Sequence, residues 1–194
     1  MIVAHGHLGG YVEGGDPATW YPELWRWLVE TLEARTVIDV GCGEGHAARE
    51  FERLGCRVLA IDGVVPKGAV VTIRRHDYTE GPLSLYPALY DLAWSCELVE
   101  HVEERYLPNV LATFACARYV AMTHAEPGQP GHHHVNCQPR EYWLGAMAAI
   151  GYALDPDLTH EARDLARRTN PHPLNHFARS GLILRRLSGI PRSL

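Results

Sequence analysis

No Cys-x-x-Cys pair occurs in this chain. Its five cysteines, Cys42, Cys56, Cys96, Cys116 and Cys137, are scattered and odd in number. That argues against a disulfide scaffold and against cysteine-held zinc, and leaves buried free thiols as the expectation. No apolar run approaches the roughly 20 residues that a membrane-spanning helix needs. The opening stretch lacks the basic start and continuous apolar block of a secretory signal, so a cytoplasmic protein without a membrane partner is expected. Basic residues are the minority, 18 Lys and Arg against 23 Asp and Glu, for a net charge of −5. Such a balance disfavours a long nucleic-acid footprint, which usually needs a basic patch. A Gly-Lys-Ser/Thr triplet, required by a phosphate-binding P-loop, is also missing.

What is present suits one domain. The 194 residues are 46% hydrophobic and 21% charged, within the ordinary globular range. The first fifteen residues are glycine-rich and are expected to be a mobile lead-in. Pro22 suits a first helical turn, and Leu24, Trp27, Leu28 and Leu32 mark an amphipathic helix ending near Arg35. Short apolar runs then alternate with helical patterns. TVIDV (36–40), RVLAID (57–62), a strand within AVVTIRRHD (69–77), YDLAWS (90–95) and RYVAMTH (118–124) read as buried strands. YALDPDL and SGLILRRL read as two late ones. Alternation of this kind builds a parallel sheet with helices on both faces. Ligands bind such sheets past the carboxyl ends of the strands, which points to the segments after Val40, Asp62, Ser95 and His124.

Gly41, Gly43 and Gly45 follow the first strand, where glycine lets the backbone pass close beneath a ligand and turn into a helix. A nicotinamide fingerprint would need a further glycine where His46 stands. Asp39, two residues before the turn, suits a ligand that carries an ammonium group. Asp62 can accept both hydroxyls of a ribose, and Asp77 is placed for an adenine amino group. Together these describe an adenosine bearing an amino acid.

VIDVGCGEG, LAID, RHDY and YDLAWS, in that order, resemble the successive motifs of class I S-adenosylmethionine-dependent methyltransferases. The resemblance implies a Rossmann-like three-layer α/β sandwich, its seven-stranded, mostly parallel sheet ending in an antiparallel strand. It divides the chain into an N-terminal segment (1–21), a methyltransferase domain (22–188) and a tail (189–194). It also implies S-adenosylmethionine contacts from Asp39, Gly41, Cys42, Gly43, Gly45, Asp62, Gly63, Asp77, Tyr78 and Ser95.

After YDLAWS, Glu97, Glu100 and His101 stand at i, i+3 and i+4. In a helix all three project from one face. Two carboxylates and an imidazole crowded together call for a cation, and an oxygen-rich set favours Mg²⁺ or Mn²⁺. The loop GQPGHHHVN should overhang the same edge. If it is extended, alternate side chains point the same way, and His132 and His134 face the site while His133 turns outward. The pattern is similar to the E-x-x-E-H…H set of two metal-dependent branches, the small-RNA 2′-O-methyltransferases and the ubiquinone-pathway O-methyltransferases. That likeness implies Glu97, Glu100, His101 and a loop histidine as ligands. A metal-free reading, with His101 or His134 as general base, stays open beside it. His124 is expected to reach substrate. His5, His7, His160, His172 and His176 are expected at the surface or in packing, and Trp20, Tyr21, Trp25 and Trp27 in the core. The expected activity is methylation of a hydroxyl on a small metabolite or sugar. An RNA ribose, or a non-catalytic cofactor-binding module, is the alternative.

Overall fold

The computed structural model describes residues 1–85 and 89–187. The expected tail at 189–194 lies outside the described residues. Strands β1 (Ile2–Ala4) and β2 (Gly10–Val12) pair as an antiparallel hairpin. After α1 (Pro22–Thr31) come β3 (Thr36–Val40), α2 (His46–Arg53), β4 (Arg57–Asp62), β5 (Ile73–Arg75) and β6 (Tyr90–Ser95). The chain continues through α3 (Leu107–Phe114), β7 (Ala117–Met122), α4 (Arg140–Ala149), β8 (Tyr152–Leu154), α5 (Pro156–Thr169), α6 (His176–Ser180) and β9 (Leu182–Arg186).

Seven strands form one sheet in the order β5-β4-β3-β6-β7-β9-β8. β3 to β7 run parallel, and β9 runs against both β7 and β8. The winding reverses between β3 and β6, so a crevice opens there past the strand ends. Because β9 points the other way, the segment leading into it, α6, reaches that same edge. A side-chain period of two splits the core. Ile38, Val40, Ala93, Val120, Met122, Leu182 and Leu184 pack against α3 and α4. Val37, Leu92, Trp94, Ala121 and Ile183 pack against α1, α2, α5 and α6. Each large apolar side chain buried in these layers contributes roughly 1.5–3 kcal/mol.

Three local expectations change. The glycine-rich opening is a hairpin rather than a mobile lead-in, because β1 and β2 pair over three residues each. α1 ends at Thr31, short of Arg35. The first late strand stops at Leu154, since Asp155 caps α5 by accepting from Leu158 N at 3.2 Å and Pro156 opens the helix. The aromatic cluster also divides. Tyr21 and Trp25 are buried around Trp94, which stacks on Phe177 at 5.3 Å, whereas Trp20 is 48% exposed.

Asp91 ties the start of β3 to β6. Its Oδ2 accepts from Arg35 N (2.9 Å), Thr36 N (2.9 Å) and Thr36 Oγ1 (2.8 Å). Burial works to raise this carboxyl, but those donors and the Arg118 charge hold it below the usual range. A carboxylate with a depressed folded pKa adds stability above its unfolded value, near 3.9, and loses it as pH falls through the folded value. Asp91→Ala is therefore expected to cost about 2 kcal/mol in urea denaturation at pH 7. The gap from wild type should narrow below pH 4; an equal gap at all pH values would refute the assignment.

Candidate active site

A cavity of about 1280 Å³ occupies the crevice. That exceeds the roughly 300–1,000 Å³ of a site for one small ligand, so there is space for a cofactor and an acceptor. Its floor is the turn after β3. Gly41 (φ +76°) and Gly43 (φ +55°) are left-handed, a conformation that costs a residue with a Cβ about 1–2 kcal/mol. A Cβ on Gly41 would lie 2.9 Å from the Leu98 side chain, whereas one on Gly43 would meet nothing nearer than Tyr11 Cβ at 3.9 Å. Gly43 thus presents bare backbone to the cavity, as a closely seated ligand requires.

Two carboxylates face one another across this turn. Asp39 Oδ2 accepts from Ala48 N at 3.0 Å, and Asp62 accepts from Gly43 N (2.8 Å) and Val64 N (2.9 Å). Burial, with the Asp62 charge adding to it, pushes Asp39 up to about 7. Burial likewise raises Asp62 against its backbone hydrogen bonds. Burial and both carboxylates raise the Cys42 thiol. Such a pocket is short of positive charge, and a ligand with an ammonium and a sulfonium would supply it. Gly63 and Tyr78 also line the cavity; the Tyr78 hydroxyl donates to Thr113 Oγ1 at 3.0 Å. Asp77 accepts from Thr79 N (2.8 Å) and pairs with His7 Nε2 (2.8 Å), a partner the sequence did not suggest. Ser95 is buried and donates to Val40 O at 3.0 Å. It shapes the floor without lining the cavity.

The acidic segment after β6 is not a continuous α-helix. Glu97 has φ +57°, and Val99–His101 and Glu104–Tyr106 make two separate 3₁₀ turns. One helical face therefore does not carry all three side chains. Glu97 Oε2 pairs with His176 Nδ1 at 2.8 Å, and Oε1 accepts from Thr123 Oγ1 at 2.9 Å. Glu100, His101 and His134 instead converge, with one potential ligand atom from each within 4.8 Å of the others. The loop is drawn over them because Val135 N and Asn136 N donate to Glu100 O at 2.9 and 3.0 Å. It turns at His132 and His133, the latter at φ +54°, instead of running extended. His132 Nε2 consequently contacts Gly9 O at 3.3 Å and stays outside the trio.

The trio suits a divalent cation. Both carboxylate oxygens of Glu100 are buried and, among the described residues, accept from no donor; the neighbouring group with which this carboxyl shares a proton is Glu97. Burial and the neighbouring Glu97 charge push Glu100 far above the usual carboxylate range. Glu97 goes the other way: burial works to raise it, but the His176 bond and charge hold it down. His101 Nδ1 lies 3.2 Å from His133 O and His134 Nδ1 lies 3.1 Å from Gln129 O. Each ring thereby turns Nδ1 to a backbone carbonyl, the kind of outer contact that orients a metal-binding imidazole. Burial lowers His101 to about 4, so the ring is neutral as a ligand must be.

Two histidines exchange expected roles. His124 is buried beside Trp143 and does not line the cavity. His176, expected in packing or at the surface, lines it. The hairpin joins the same wall: His7, Leu8, Gly10 and Tyr11 all border the cavity.

The family model described as a methyltransferase domain matches residues 17–156. A ubiquinone biosynthesis O-methyltransferase of Alkalilimnicola ehrlichii is 30% identical over 178 residues, 82% of this chain; the chain spans 65% of that relative's length. Among solved structures, a TehB-like S-adenosylmethionine-dependent methyltransferase from Corynebacterium glutamicum superposes with TM-score 0.60 at 16% identity. That match covers 90% of this chain and 91% of the other. The 1,6-didemethyltoxoflavin-N1-methyltransferase of Burkholderia thailandensis, bound to S-adenosylhomocysteine, gives TM-score 0.58 at 15% identity, over 84% and 76% of the two chains. At such identities these two likenesses speak for the fold alone. With its glycine turn, its seven-stranded sheet and a family match across most of its length, the chain belongs to the class I S-adenosylmethionine-dependent methyltransferases.

Proposed function

We propose that the protein transfers the sulfonium methyl group of S-adenosylmethionine to a hydroxyl oxygen of a small acceptor, with a divalent cation held by Glu100, His101 and His134. The observation that carries this reading is the convergence of the buried Glu100 carboxyl with His101 and His134, two residues that line the cavity. A sulfonium methyl is already activated, so nitrogen or sulfur acceptors need little beyond alignment. A hydroxyl needs its proton weakened, and a bound Mg²⁺ or Mn²⁺ supplies that by Lewis acidity.

The chain's own residues do the rest. Asp39 is placed to receive the cofactor's ammonium group and Asp62 its ribose hydroxyls. Asp77, once His7 yields, accepts from the adenine amino group. The name of the relative that is 30% identical, an O-methyltransferase, supports oxygen as the acceptor atom. Net charge of −5 favours a small acceptor over RNA. No helix among the described residues is long and apolar enough to cross a membrane. A transfer assay with labelled methyl donor tests the proposal. Phenol, catechol and sugar alcohols should accept label, and a chelator should stop them. Labelling of amines alone would overturn oxygen as the acceptor, and full activity in chelator would remove the cation.

A further inference from the structure

We infer that His176, oriented by Glu97, takes the proton from the acceptor hydroxyl during methyl transfer; this rests on the hydroxyl reading above. The antiparallel β9 brings α6 to the edge where the parallel strands end. His176 arrives there 2.8 Å from Glu97 Oε2 through Nδ1, with the pair largely shielded from solvent. A carboxylate on Nδ1 fixes the proton on that nitrogen and leaves the Nε2 lone pair for another partner. The nearest acid to Nε2 is Asp16, whose Oδ2 is 4.0 Å away, beyond hydrogen-bond reach. Both side chains line the cavity, so the gap between them faces the space where an acceptor sits.

The placement is held on every side. Glu97 takes a left-handed conformation that costs a residue with a side chain about 1–3 kcal/mol. Thr123 fastens it, Oγ1 accepting from Glu97 N at 2.8 Å while donating to Glu97 Oε1. On the other side, Asn175 caps α6 and its Nδ2 donates to Ala166 O and Asn170 O, both at 2.8 Å. Phe177 N donates to the Tyr21 hydroxyl at 2.9 Å, and the Phe177 ring stacks on Trp94. Strain kept in place by a rigid frame is characteristic of a working site. Glu97 is also adjacent in sequence to Leu98, the side chain that abuts Gly41. The pair is therefore one residue from the wall of the cofactor turn.

In the step, the acceptor oxygen forms a bond to the methyl carbon as the carbon–sulfur bond breaks. The electron pair of that bond stays on sulfur, giving the neutral thioether of S-adenosylhomocysteine. The hydroxyl proton passes to His176 Nε2 while Glu97 holds Nδ1, and water then removes it. Glu100, His101 and His134 form a neighbouring set, joined to this pair where Glu100 lies beside Glu97.

The test uses the full chain and whichever hydroxyl acceptor wild type methylates. His176→Gln and His176→Ala should each lower kcat about 100-fold or more. Cofactor affinity by calorimetry and Tm should stay near wild type. Added imidazole should restore at least tenfold of the lost rate in His176→Ala and nothing in wild type, a response that a packing role does not produce. Glu97→Gln should lower kcat without imidazole rescue. Retention of wild-type kcat in His176→Gln overturns the inference. So does a loss in which cofactor affinity and Tm fall together with rate and imidazole does nothing. If wild type labels amines but no hydroxyl, the hydroxyl reading itself falls and His176 falls with it. Wild-type activity thus judges the reading, and the ratio of variant to wild type judges His176.

Discussion

Asp62→Ala is expected to weaken S-adenosylmethionine binding by two to three orders of magnitude in calorimetry. The side chain has two duties. Its oxygens hold Gly43 N at 2.8 Å and Val64 N at 2.9 Å, which sets the shape of the turn from below. Carboxylate oxygens have further lone pairs, which on the proposed reading accept from the ribose hydroxyls. Each hydrogen bond to a charged group is worth about 1.5–3 kcal/mol, so losing the ribose contacts and the shape of the turn together gives the stated fall. Asp62→Asn provides the control. It preserves one acceptor for Gly43 N but turns an amide toward a second N–H, so affinity should fall by about tenfold, at 1.4 kcal/mol per decade. Gly43→Ala tests the same surface from the ligand's side, since its Cβ meets only Tyr11 Cβ at 3.9 Å and the left-handed φ adds a backbone cost of about 1–2 kcal/mol. If Asp62→Ala bound cofactor as tightly as wild type, the ligand would lie elsewhere and the site would have to be redrawn.

The parts of this site that can be read from the sequence are those whose geometry is local. TVIDV followed by three glycines fixes a strand, a left-handed turn and a carboxylate beneath it within ten residues, and all three are present. Asp62 and Asp77 follow from strand ends for the same reason. What could not be read depends on long-range packing or on a single backbone angle. The spacing of Glu97, Glu100 and His101 suggests one helical face, and the left-handed φ of Glu97 breaks it. Alternation along His132–His134 assumes extended backbone, and a turn there separates two imidazoles that the pattern placed together. His176 lies in a short polar segment with no motif. Its entry to the cavity comes only from the antiparallel sense of β9, and a strand pattern carries no direction. The opening hairpin was hidden by its glycines, since strands of three residues leave almost no alternation to detect. The pattern SGLILRRL marks β9 as a strand, but nothing in it places the residues before it at the cavity.

Glu100→Met is expected to make the cation-free protein more stable and to abolish its activity. Glu100 is fully buried, and among the described residues its oxygens accept from no donor, its one carboxyl neighbour Glu97 being already held by His176 and Thr123. A buried polar group in that condition costs about 1–3 kcal/mol. Methionine has a similar volume and adapts to irregular gaps, so the variant should gain a comparable amount. For a chain of this length that is a Tm rise of about 2–4 °C per kcal/mol. Catalysis should move the other way, with hydroxyl methylation falling about 1,000-fold, because a Lewis-acid contribution is worth several kcal/mol. Mn²⁺ should raise the Tm of wild type, by about 2.7 kcal/mol of stabilisation at a hundred times its dissociation constant, and leave Glu100→Met unmoved. His101→Ala and His134→Ala should each shrink the Mn²⁺ response, whereas His132→Ala should not, since its Nε2 contacts Gly9 O instead. A purely structural Glu100 predicts the reverse sign, a variant less stable than wild type with an unchanged Mn²⁺ response. The direction of the Tm change in Glu100→Met, read before any substrate is known, therefore decides whether this carboxylate is kept for the fold or kept against the fold's interest for a cation.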